Sequence, residues 1–137
     1  MQPSAEKISL TRQWMMKAER DLLTAERALI GSPPFRDMAV YHCQQAAEKA
    51  LKAFLTWHDR PFRKTHELGQ LVRECSAVDP GFSQLLDAAD VLNPYVAEFR
   101  YPGDVAEPST IETDTARQHA RDVVEFVKAR LPQHTWP

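Results

Sequence analysis

Five polar residues, Gln44, Gln45, Glu48, Lys49 and Lys52, crowd the stretch Tyr41-His42-Cys43-Gln44-Gln45-Ala46-Ala47-Glu48-Lys49-Ala50-Leu51-Lys52-Ala53-Phe54, and Lys64-Thr65-His66-Glu67-Leu68 follows. Amides and ammonium groups at this density can hold a phosphate or a nucleobase. Spacing of i, i+4, i+8 puts Gln44, Glu48 and Lys52 on one helix face, with Gln45, Lys49 and Lys52 on a neighbouring strip. The competing reading is ordinary i,i+4 support of an exposed helix. Gln45 and Lys49 lie closest to the apolar edge and are expected to meet another helix. Asp21 stands on the inward side of the first helix and is a natural ion-pair partner for such a lysine. A pair of that kind sets register more than it adds stability. His66 is expected at a helix start, where it can donate to a phosphate, or else bond to a neighbouring loop. Arg100 can grip phosphate with two N–H groups and Tyr101 can stack on a base. Alternatively, Arg100 pairs with Glu98 or Asp104 and Tyr101 plugs one end of the molecule. The nucleotide- or phosphate-binding candidates are therefore Gln45, Lys49, Lys52, His66, Arg100 and Tyr101.

Other chemistries find little support. Four scattered glycines cannot form a phosphate-cradling loop. The five histidines form no HExxH, so neither a metal site nor a cofactor is expected. There is no GxSxG, and the serines stand where caps and turns want them. Cys43 and Cys75 form no CxxC pair and read as buried, reduced thiols. No catalytic residue is assigned.

These groups must be positioned by helices. The pattern predicts a first helix over about 8–29, with Leu10, Trp14, Ala18, Leu22, Ala25 and Leu29 on one face. A second covers about 35–58 on a stripe of Ala39, Cys43, Ala46, Ala47, Ala50, Phe54 and Trp57. A third, about 66–76, has Thr65 as its expected N-cap and Glu67 in its first turn. Asp79-Pro80 opens a fourth, with Asn93-Pro94 repeating that cap-and-proline grammar. Residues 100–104 read as a turn. Ser109-Thr110-Ile111-Glu112 is a capping box that opens the last helix, whose inner face carries Ala116, Ala120, Val123, Val124 and Val127. Alternating patterns are absent, so the fold class is all-α: an antiparallel up-and-down bundle of about five helices.

The 137 residues suit a single domain, 1–137, with a core over about 8–131 and a loose tail at 132–137. No apolar run can span a bilayer, and the N-terminus lacks the layout of a signal peptide, so a cytoplasmic location is expected. The formal charge of −2 conceals an asymmetry. Residues 35–66 hold six Lys/Arg against three Asp/Glu, whereas 67–137 hold six against twelve. A local basic patch can attract phosphate on an acidic protein.

Three segments together resemble the HEPN family of small helical domains. Ala18-Glu19-Arg20-Asp21-Leu22-Leu23-Thr24-Ala25 is similar to its Ala-x-x-Asp-Leu-x-x-Ala. Gln44 to Ala53, followed by Lys64-Thr65-His66-Glu67-Leu68, is similar to its central helix and the segment after it. Leu92-Asn93 through Arg100-Tyr101-Pro102 is similar to its Leu-Asn to Arg-Tyr-Pro region. The resemblance implies a helical bundle, a homodimer, and binding of nucleotide or RNA. It also implies a minimal nucleotidyltransferase as partner, in a two-component, toxin–antitoxin-like system. Many family members are metal-independent ribonucleases that carry Arg, four to six residues, then His, late in the domain. Here the next histidine after Arg100 is His119, and the pairs Arg36/His42 and Arg60/His66 come too early. Two alternatives stay open: a ribonuclease with His66 as base and Arg100 beside the phosphate, and a purely structural interaction module.

Overall fold

Alanines at 39, 46, 47, 50 and 53 hold no neighbour at a distance, and from Cys43 to Leu55 the helix that carries them is enclosed at every position but Lys49. The computed structural model describes residues 2–103 and 106–137. That enclosed helix is α2 (Arg36–Trp57); α1 (Ala5–Ala28) precedes it, and α3 (Leu68–Ser76), α4 (Leu86–Leu92) and α5 (Thr110–Ala129) follow. Tight 3-10 turns occupy Pro80–Leu85, Asn93–Val96 and Gln133–Thr135. No strand occurs among the described residues, and the chain is an all-α bundle.

Long-range bonds set the helix directions. Lys7 meets Asp59 at one end of the α1–α2 pair, Asp21 meets Lys49 midway, and the Phe35 N–H reaches the Ala28 carbonyl at the other end. α1 and α2 are therefore antiparallel. Against α5, Glu26 takes Arg117 and Arg121, Glu19 takes Lys128, and Arg12 donates to the His134 carbonyl, so this pair is antiparallel too. α2 and α5 run parallel: Arg36 Nε donates to the Pro108 carbonyl (2.8 Å), and Phe54 reaches Phe126 through Phe82.

Several expectations change. The buried face of α1 is Thr11, Met15, Ala18, Asp21 and Ala25, while Leu10 is 47% exposed. Ala18 and Ala25 are inside and Trp14, Leu22 and Leu29 pack on the core as expected; Leu10 yields its place to Thr11, whose hydroxyl is satisfied by the Lys7 carbonyl. Thr65 does not cap α3. The helix begins two residues later, and its Leu68 N–H is taken by Asn93 Oδ1 (2.9 Å), while Thr65 Oγ1 accepts from the Glu67 N–H. Asn93 thus caps a distant helix. Its own segment is a 3-10 turn, and the residues after Asp79-Pro80 also begin as 3-10. The tail is not loose. Thr135 is buried, and the Trp136 indole N–H donates to the Lys128 and Leu131 carbonyls at the end of α5. The Ser109/Glu112 capping box forms as expected.

Groups that link or fill these helices respond to acid and to thiol reagents. The Arg117 guanidinium, which donates to both Glu26 oxygens, holds that carboxyl below its ordinary value of 4.5 despite partial burial. A depressed carboxylate stabilises the fold above its unfolded pKa and loses that contribution as pH falls through the folded one. Urea unfolding followed from pH 6 to pH 3 should therefore show a steep acid-side loss that Arg117→Ala flattens. Burial pushes the Cys43 thiol up to about 12 and raises Cys75 as well. A maleimide or aromatic disulfide reagent at pH 7.5 should label neither thiol while the chain is folded, and both in denaturant.

Candidate functional site

Tyr41, Gln45, Glu48 and Lys52 recur at i, i+4, i+7 and i+11 and so lie along one strip of α2. Glu48 is the centre. Its residue is only 3% exposed, and an isolated carboxylate there would be costly. Both oxygens are instead engaged. Oε1 accepts from His66 Nδ1–H (2.8 Å) and Gln44 Nε2 (3.4 Å), and Oε2 accepts from Lys52 Nζ (3.1 Å). Gln44 Nε2 also donates to the His66 carbonyl (3.0 Å), and Gln44 Oε1 accepts from Gln45 Nε2 (2.8 Å). Lys52 Nζ stands 5.7 Å from the Trp14 ring centroid and 5.6 Å from that of Phe62, a cation–π seat.

Gln45 is buried and Lys49 meets α1 as expected, but the other face of α2 is covered more deeply. Gln44, Glu48 and Lys52 are covered, whereas the Lys49 side chain is 24% exposed. Cover over this strip comes from α1 through Trp14 and from the connection to α3 through Phe62 and His66. Lys49 Nζ lies 2.6 Å from Asp21 Oδ2, and His42 Nδ1 lies 2.8 Å from Asp21 Oδ1. That acid, mostly buried on α1, thus joins two residues of α2.

Arg100 lies at the Tyr41 end of the strip. Its guanidinium carbon is 3.9 Å from the Tyr41 ring centroid and 5.9 Å from that of Tyr101, and Nη1 donates to the Val96 carbonyl. Tyr101 is 62% exposed. The preceding residue, Phe99, has φ of +68°, a conformation costly for a bulky side chain. That left-handed turn carries the chain from the Tyr95–Phe99 ring stack to the Arg100–Tyr41 stack. No ion pair joins Arg100 to Glu98; Asp104, the other expected partner, lies outside the described residues.

The six candidates therefore differ in what they offer a ligand. Lys52 is spent on Glu48, and Lys49 on Asp21. Gln45 is nearly buried and donates to Gln44. His66 precedes the first turn of α3 rather than opening it, and its side chain is 65% exposed with Nδ1 engaged. Arg100 and Tyr101 are exposed. Glu48 and Tyr41 are seven residues apart on α2, so the His66 and Arg100 ends stand about 10 Å apart along its axis. They stand against positions two turns apart on α2. Arg60, Arg63 and Lys64, in the connection that leads to His66, are exposed and make no ion pair among the described residues. Among those residues no group of three or more His, Cys, Asp or Glu could hold a metal ion. Among the described residues no helix is long and apolar enough to cross a membrane.

Residues 11–130 match the model of the HEPN domain. The chain belongs to the HEPN family. Among solved structures it is similar to ST0689, an archaeal HEPN homologue, with a TM-score of 0.68 and 27% identity over 88% of this chain and 96% of that one. TT1696 from Thermus thermophilus is similar at a TM-score of 0.72 and 25% identity, over 88% of this chain and 98% of that one. No curated protein matches it significantly. In this HEPN domain the central helix is the one that carries the buried Gln44–Glu48–Lys52 network.

Removing Glu48 alone strands the Lys52 cation inside. Glu48→Ala should cost about 3–5 kcal/mol in urea unfolding, and the double variant Glu48→Leu/Lys52→Met should recover most of that loss.

Proposed function

We propose that this HEPN domain binds a nucleotide or RNA and acts with a nucleotidyltransferase partner, as a homodimer, in a two-component system of the toxin–antitoxin kind. The single observation that carries the binding reading is the Arg100 guanidinium stacked on Tyr41, beside exposed Tyr101, on the α2 face that also presents His66. A guanidinium seated over a ring is held in place while N–H groups remain to meet a phosphate. The Arg60-Pro61-Phe62-Arg63-Lys64 connection that leads to His66 supplies exposed cations with no acid partner among the described residues. These features favour a strand with more than one phosphate over a single small anion. The partner and the paired system are proposed from the family alone.

Cleavage is the weaker reading. A single attack on phosphorus would need His66 and Arg100 to converge, and the α2 residues they stand against, Glu48 and Tyr41, are about 10 Å apart along the helix. Fluorescence titration with ATP, GTP and a short single-stranded RNA tests binding. RNA should saturate, and Arg100→Ala should weaken it about tenfold to hundredfold, the worth of one hydrogen bond to a charged group. The salt dependence of log K should fall in slope by about 0.7 for that variant. A failure of all three ligands to saturate, together with recovery of a bound protein chain on co-purification, would favour the interaction-module reading.

A further inference from the structure

His66 is held in a way that its part in phosphate binding does not require. A cation meant only to meet phosphate needs no buried acceptor behind it, and lysine or arginine would serve. Here Nδ1 is tied to Glu48 Oε1 at 2.8 Å, and that carboxylate is fixed in turn by Lys52 and Gln44. Gln44 also grips the His66 backbone carbonyl, so both the ring and its main chain are anchored to α2. An ionised carboxylate only accepts hydrogen bonds, so the ring nitrogen facing it must carry hydrogen. In the neutral imidazole the other nitrogen then has an open lone pair. A buried carboxylate behind a histidine selects the tautomer of the outer nitrogen in the same way at metal sites. The Lys52 ammonium also balances the Glu48 charge, so the carboxylate does not depend on an imidazolium as its counter-ion. The side chain is 65% exposed, so the lone pair is open to a ligand.

We infer that Glu48 is a positioning residue that fixes hydrogen on His66 Nδ1, making Nε2 a hydrogen-bond acceptor that reads an O–H or N–H donor on a bound nucleotide strand. This rests on the binding reading above and gives it a polarity. Arg100 meets the anionic part of the ligand, and His66, about 10 Å along the strip, meets a neutral donor. Two donors share this chemistry, the ribose 2′-hydroxyl and a nucleobase amino group.

Nitrogen-15 NMR of the histidine side chains at pH 8 should show the His66 hydrogen on Nδ1. In Glu48→Gln, whose amide can either donate or accept, the two tautomers should mix. His66→Asn keeps a donor toward Glu48 and deletes the outer acceptor without disturbing the buried network. It should weaken binding of an adenylate RNA decamer about threefold to tenfold, the worth of one hydrogen bond. If the DNA decamer of the same sequence is insensitive to the substitution, the donor is the ribose hydroxyl; if both strands weaken alike, it is the adenine amino group. Hydrogen found on Nε2, or wild-type RNA affinity in His66→Asn, overturns the inference and leaves the Arg100-based reading standing. If the wild-type protein binds neither strand, both fall together.

Discussion

A carboxylate taken out of water imposes the strictest condition in this molecule. Glu48 sits in the stretch of α2, Cys43 to Leu55, that packing covers at every position but Lys49, and its charge is tolerable only because polar groups converge around it. Lys52 comes from the same helix one turn on, Gln44 from one turn back, and His66 from the segment that leads to α3. Each tie has a structural consequence. Lys52 draws Trp14 and Phe62 over itself, Gln44 holds the main chain at His66, and His66 closes the open side. Packing and polar satisfaction here are one problem with one solution.

Around that centre, α1 acts as the common wall. Its acids point two ways: Asp21 toward α2, Glu19 and Glu26 toward α5. The tail completes the arrangement by closing the last carbonyls of α5 with the Trp136 indole. Exposed ion pairs are each worth little, but they distinguish the observed helix order from an alternative stacking of similar apolar faces.

What could be read from the chain depended on how local each device is. The start of α5 was legible because Ser109 and Glu112 complete their cap within four residues. The bundle itself was legible from periodic alanines and prolines, and the family from three ordered segments. The start of α3 was not, since its cap comes from Asn93, 25 residues from Leu68 in the chain. On α1 only Leu10 was misplaced, because a hydropathy pattern counts Thr11 as polar while its hydroxyl is satisfied one turn back. In the candidate site, Asp21 and Lys49 could be paired on paper as polar residues on faces that must meet. The burial of Gln44 and Glu48 could not be seen, because the cover is a loop whose path no helical period describes. Tyr41 beneath Arg100 was missed for the same reason; its only local sign is that it shares a strip with Gln45, Glu48 and Lys52.

The enclosure of α2 has an evolutionary consequence. A helix with one wet side can accept change there at almost no cost, and drift collects on such faces. From Cys43 to Leu55 this one leaves only Lys49 part-exposed. A larger residue in place of Ala46 or Ala50 meets a neighbouring helix, and a neutral residue in place of Glu48 strands a cation. The middle of the chain is therefore the part least free to vary, whatever selection acts on the rim.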